Sequence, residues 1–147
     1  MDWFLKYFDE LTVNQIYEIL KERVDVFVVE QDCPYHEIDG KDKKSYHLWA
    51  GSKDQINAYI RILPPGISYK EASIGRVLVK EEYRRKGLGK ELMTRGIEYI
   101  EKQMNEDKIR ISAQQYLYDF YTDLGFKQVS EMYLEDGIPH IEMLYEA

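Results

Sequence analysis

Cysteine is nearly absent: Cys33 is the only one in 147 residues. A single cysteine excludes an internal disulfide and fits a reducing compartment, so a cytoplasmic location is expected. Long apolar runs are missing too, and no stretch approaches the roughly 20 residues that a membrane-spanning helix needs. The N-terminal MDWFLKYFDE starts acidic and lacks the basic-then-apolar order of a secretory leader. Positive charge is outweighed, with 20 Lys and Arg against 27 Asp and Glu and a formal net charge of −7. That balance argues against nucleic acid as the main partner, because phosphate neutralisation supplies most of such affinity. Histidine is scarce as well: there are 3, with no C-x-x-C or H-x-x-x-H spacing, so no metal site is expected.

What remains is the composition of an ordinary globular chain, 44% apolar and 32% charged, long enough for one domain over residues 1–147 around one core. The 13 tyrosines are the unusual surplus and suggest amphipathic clefts. DWFLKYF reads as a first strand, and Thr12 caps a helix with Ile16, Ile19, Leu20, Val24 and Phe27 at helical spacing. After the polar loop QDCPYHEIDGKDKKS, YHLWAG and INAYIRIL form a hairpin about SKDQ. ASIGRVLVK is a strand, Leu88 to Ile100 a long amphipathic helix, and KIRISAQ the next strand, which makes a βαβ unit with parallel strands. A short helix through Leu117, Phe120, Tyr121 and Leu124 ends at Gly125. FKQVSEMYL and PHIEMLY are the last two strands, joined at EDGI. The order β-α-β-β-β-α-β-α-β-β predicts an α/β fold on a sheet of mixed direction.

Residues 81–92, EEYRRKGLGKEL, concentrate basic side chains around two glycines in this acidic chain. A P-loop would need glycine where Arg84 stands and Ser or Thr where Glu91 stands. A dinucleotide fingerprint would need a third glycine where Leu92 stands. The pattern that fits is R-x-x-G-x-G, from Arg84, Gly87 and Gly89, between a strand and a helix. There the backbone N–H groups of residues 85–90 and the positive end of the helix dipole converge on an anion, and glycine lets the backbone approach it. A pyrophosphate is the natural occupant, with a solvent-exposed basic helix cap as the plain alternative.

This stretch resembles motif A of the GCN5-related N-acetyltransferases, the GNAT superfamily, and YLYDFYTDLGF is similar to that family's second signature, a helix ending A-x-x-F-Y-x-x-x-G-F, from which only the early alanine is missing. RVDVFVVEQDCPYHEIDGKD and YLEDGIPHIEM resemble the ElaA-type subgroup. The resemblance implies the GNAT fold: a mixed, mostly antiparallel sheet of six to seven strands with a central parallel pair and flanking helices. It implies acetyl-CoA as co-substrate, with Val77, Leu78 and Val79 on the pantetheine arm and acetyl group and Gln114 nearby. Arg84, Arg85, Lys86, Gly87, Leu88, Gly89 and Lys90 would hold the pyrophosphate. It also allows a homodimer.

The activity so implied is transfer of acetyl to a primary amine by direct attack through a tetrahedral intermediate. Tyr121 matches the family tyrosine that protonates the departing thiolate, although its place on an apolar helix stripe equally suits a core residue. The Val79 N–H is the candidate to polarise the thioester carbonyl. Glu30, His47 and His140 are the candidate bases, each with a purely structural alternative. Cys33 lacks an orienting partner at a diagnostic spacing and is read as packing. Tyr116, Tyr118 and Tyr121 at helical spacing are read as packing rather than base stacking. A non-catalytic module that binds acetyl-CoA or coenzyme A for regulation would keep the glycine loop and dispense with Tyr121.

Overall fold

The computed structural model describes residues 1–147. The chain runs β1 (Asp2–Tyr7), α1 (Val13–Val24), β2 (Tyr46–Ser52), β3 (Gln55–Leu63), β4 (Ser73–Val79), α2 (Leu88–Lys102), β5 (Lys108–Gln114), α3 (Tyr118–Asp123), β6 (Phe126–Gln128), β7 (Tyr133–Glu135) and β8 (Ile138–Glu146). Thr12 caps α1 as expected: its hydroxyl accepts from the Gln15 N–H at 3.1 Å, and the Gln15 side chain answers to the Thr12 N–H at 3.0 Å. Beyond Val24 the helix widens into a π turn, Asp25–Glu30, a distortion that recurs at functional sites. No helix is long and apolar enough to cross a membrane.

Two antiparallel halves make the sheet, β1-β2-β3-β4 and β5-β8-β6 with β7 also on β8. The parallel pair of the βαβ unit is present but short. One bridge, Ala72 with Ile109, joins the halves, supported by the Arg110 N–H donating to the Ala72 carbonyl at 2.9 Å. Beyond that bridge β4 and β5 part, and a cleft opens between them.

Strand β3 is buried along nearly its whole length because helices cover both faces. On one face Ile60 and Ile62 meet α2, where a Cβ on Gly96 would lie 2.6 Å from Ile60 Cδ1, so glycine sets the close approach of helix to sheet. On the other face Trp49, Ile56 and Tyr59 pack with Ile19 and Val26 of α1 and its extension. The buried face of α1 also carries Gln15, Glu22 and Arg23, so the apolar stripe read from the sequence is only half of it.

One expected strand divides. FKQVSEMYL gives β6 and β7 with a break between, so there are eight strands rather than six or seven. The cause is local: the Ser130 hydroxyl accepts the Glu142 N–H at 2.8 Å, taking the place of a ladder carbonyl, while Val129 N–H still donates to the Glu142 carbonyl at 2.9 Å. The EDGI turn is as expected, with Asp136 at φ 51° and Gly137 at φ 78°, the two positive values of a type I′ hairpin.

Candidate active site

The glycine stretch forms the turn between β4 and α2. Arg85 (φ 65°) and Gly87 (φ 78°) both adopt left-handed backbone, which curls residues 85–90 so that none of their N–H groups donates to a backbone carbonyl. Donors without internal partners at a helix start are what an anion needs. Gly87 and Lys86 are exposed. Arg84 does something different with its side chain: Nε donates to the Val79 carbonyl at 2.7 Å, and Nη2 lies 2.9 Å from Glu30. The guanidinium thus ties the end of β4 to the end of the π turn, and Glu30 spends its carboxylate on that tie.

Strand β4 reaches the loop through a bulge. Tyr59 opposes Leu78 and Arg61 opposes Gly75, so Arg76 and Val77 together oppose Ile60, with Arg76 at φ 53°. A bulge re-aims a strand and breaks its pairing, here beside the cleft. Val77 and Val79 turn toward α2 and α3, whereas Leu78 is buried under α1. Any role of Leu78 toward a ligand therefore runs through its backbone.

The cleft between β4 and β5 encloses about 330 Å³. Of the residues expected to bind or act on a ligand, Val77, Gln114, Tyr121 and His140 line it. Gln114 reaches across to Gln31 at 3.4 Å. Tyr121 is 6% exposed, and burial pushes its hydroxyl pKa well up, so the phenol stays protonated at neutral pH. His140 donates from Nδ1 to the Ile138 carbonyl at 2.7 Å and turns Nε2 toward Glu135 at 3.4 Å, its ring stacked on Tyr133. Glu30 and His47 are not brought to the cleft. His47 is 1% exposed, bonded to the Tyr59 hydroxyl at 2.6 Å and the Asp42 carbonyl at 3.1 Å, and burial pushes its pKa down to about 4. Cys33 lines the cleft with its thiol on the Asp136 carbonyl at 3.6 Å. No group of three or more His, Cys, Asp or Glu side chains is arranged to hold a metal ion.

The sequence reading missed the charged network that shapes one wall. Arg23, Arg61 and Arg76 pair with Glu37, Asp39 and Asp42 from the loop after the π turn. Burial alone would raise the Asp39 and Asp42 pKa values, but hydrogen bonds and charge from Arg61 and Arg23 hold both below the usual carboxylate range. A signal was present. An arginine within INAYIRIL and another within IGRVLV put charge into buried strands, which requires partners, and EIDGKD supplies three acids.

The fold that carries this cleft is shared beyond this chain. Residues 12–147 match the family model of the acetyltransferase (GNAT) domain. This chain belongs to the GNAT acetyltransferases. Among its relatives is protein ElaA of Escherichia coli, 39% identical over 148 residues, covering 99% of this chain and 97% of ElaA. A UPF0039 protein of Schizosaccharomyces pombe is 38% identical over a similar span. The crystal structure of an acyl-CoA N-acyltransferase from Pseudomonas aeruginosa superposes with TM-score 0.92 at 41% identity, covering 99% of both chains. That of E. coli ElaA gives 0.91 at 39% identity, again over 99% of both. The GNAT fold and the ElaA-type kinship expected from the motifs are thereby established, and the family is one of acyl-transferring enzymes.

Proposed function

We propose that this GNAT protein transfers acetyl from acetyl-CoA to a primary amine in the β4–β5 cleft. The observation that carries the reading is the continuity of two sites. The unpaired N–H groups of residues 85–90 stand at one end of β4, and a cleft lined by Tyr121 and His140 opens beside the same strand. A pyrophosphate on the loop would run its pantetheine arm along Val77 to Val79 and bring the thioester to the cleft.

The amine must lose a proton to attack, and the sulfur must gain stabilisation to leave. His140 is the base that the cleft offers. With Nδ1 held as a donor by the Ile138 carbonyl, Nε2 carries the lone pair, and Glu135 beside it stabilises the imidazolium that forms. The amine attacks the thioester carbonyl, the tetrahedral intermediate collapses, and the C–S bond breaks. The high pKa of Tyr121 makes its hydroxyl a hydrogen-bond donor to the departing thiolate rather than a readily ionised acid. Positions equivalent to Glu30 and His47 serve structure in this scheme, the first through Arg84 and the second inside the charged network.

The non-catalytic alternative has no use for a half-enclosed cleft beyond the thioester or for a histidine poised on a carboxylate. The deciding experiment is calorimetric titration with acetyl-CoA, followed by an amine screen that uses Tyr121→Phe as the comparison. Micromolar binding and a fall in kcat of about 10²- to 10⁴-fold in Tyr121→Phe are expected. A folded protein that does not bind acetyl-CoA would sink the transferase and the regulatory module together.

A further inference from the structure

The cleft walls differ in charge, and the difference is not cancelled internally. On the β3–β4 side the three arginines Arg23, Arg61 and Arg76 are matched by the three acids Glu37, Asp39 and Asp42. Lys41 is left over. Lys41 lines the cleft, and its Nζ bonds only the hydroxyl of Ser68, another lining residue, at 2.9 Å, with no carboxylate in salt-bridge range. Arg76 beside it commits Nη2 to the Glu37 carbonyl and to Asp39 and sets Nε against Glu37, while Nη1 makes no hydrogen bond within the protein. Lys41 and Arg76, the latter also packed over the Tyr35 ring, therefore line the same space with donors that the protein does not use.

The opposite wall is the β7–β8 hairpin, and it is acidic. Glu135 has the Ser112 hydroxyl at 3.2 Å and His140 at 3.4 Å, but no lysine or arginine. Asp136, next in the turn, also lines the cleft without a cationic partner. The nearby Arg110 is spent on Glu71 and Glu142. Charges of opposite sign thus face each other across a cavity of about 330 Å³, a volume suited to a small ligand.

We infer that the acceptor is a small primary amine that also carries an anionic group, carboxylate or phosphate, with the amine on the Glu135–His140 side and the anion on Lys41 and Arg76 Nη1. The inference rests on the transferase reading above and narrows it. A neutral alkylamine would leave Lys41 with the Ser68 hydroxyl alone and no anionic partner, and a diamine would bring a second cation against it. Both lose a charge-assisted contact that an amino acid or an aminoalkyl phosphate keeps.

The test is a set of matched acceptors, with coenzyme A release measured by a thiol reagent: γ-aminobutyrate against butylamine, O-phosphoethanolamine against ethanolamine, and putrescine as the dication. At least one anionic member should exceed its neutral partner in kcat/KM by about tenfold or more, and the pair that shows it identifies the anion. Lys41→Met should bring that ratio close to one, and Lys41→Arg should preserve it. Equal or better turnover of the neutral amine or of putrescine overturns the inference, as does a ratio unmoved in Lys41→Met. Tight acetyl-CoA binding with no turnover of any of these acceptors also overturns it while leaving the cofactor site standing. Failure to bind acetyl-CoA removes both.

Discussion

Two loops of this protein are rich in charge, and they use it in opposite ways. Residues 85–90 keep their backbone donors without partners inside the protein, and the loop is anchored mainly by the Arg84 side chain. The acids of residues 33–45 turn inward: Glu37 is 4% and Asp42 7% exposed, and each is paired with arginines from α1, β3 or β4. Polarity in a loop therefore does not by itself mark a binding surface. What matters is whether the polar groups are already satisfied. The first loop is open to a ligand, and the second is a structural cross-link that shapes one wall of the cleft.

Removing the hub of the second loop should have the largest effect on the fold. Arg23 is fully buried and bonds both Glu37 and Asp42. Arg23→Ala takes that cation from two buried carboxylates, leaving Glu37 to Arg76 and Asp42 to Arg61, and removing one partner of a buried pair costs about 3–5 kcal/mol. Urea unfolding should show a loss of that size. A loss below about 1 kcal/mol would mean that the loop is held by something else, and the contrast between the two loops would collapse.

Acid should sharpen the same contrast. His47, sealed against Asp42 and Tyr59, has a pKa near 4 in the folded protein against about 6.5 unfolded. The unfolded chain therefore binds the extra proton first as pH falls. Stability is complete above about pH 6.5 and declines toward pH 4, by about 3 kcal/mol if the whole shift is realised. Asp39 and Asp42, held low by their arginines, act in the same direction at lower pH, because their share is lost as the carboxylates protonate. His47→Gln should flatten the slope between pH 6.5 and 4. An unchanged slope would place the titration elsewhere.

The contrast also explains what could be read from the chain before folding. Arg84, Gly87 and Gly89 lie within six residues, and backbone geometry is a local property, so their spacing speaks directly. The Tyr121 helix and the Asp136–Gly137 turn are legible for the same reason. The network is not local: Arg23, Arg61 and Arg76 come from three elements and meet Glu37 and Asp42 only after the sheet forms. The splay of β4 from β5 was hidden too, because it depends on the bulge at Arg76 and on pairing that stops after Ala72. Strand propensity gives no hint of either. For β6 and β7, one serine hydroxyl standing in for a carbonyl was enough to divide an apparently continuous strand.

The smallest effect on stability should come from Gly89, and its sign is the informative part. Gly87 needs its left-handed φ of 78°, but Gly89 lies within α2, where an added Cβ would meet Phe120 and Val79 at 3.7–3.8 Å, ordinary packing distance. The fold has no need of glycine at position 89. Alanine at this second residue of the helix should raise stability by at most about 0.5–1 kcal/mol, the gain of a helix interior. If residues 85–90 take a pyrophosphate, the same methyl group stands where the backbone must approach the anion, and acetyl-CoA affinity should fall about tenfold or more. Calorimetry and thermal unfolding on one Gly89→Ala preparation separate the two. A more stable protein that binds acetyl-CoA as well as before would make the glycine pair a mere helix start. A more stable protein that binds poorly would show that glycine stands at 89 for the ligand, at the expense of the fold.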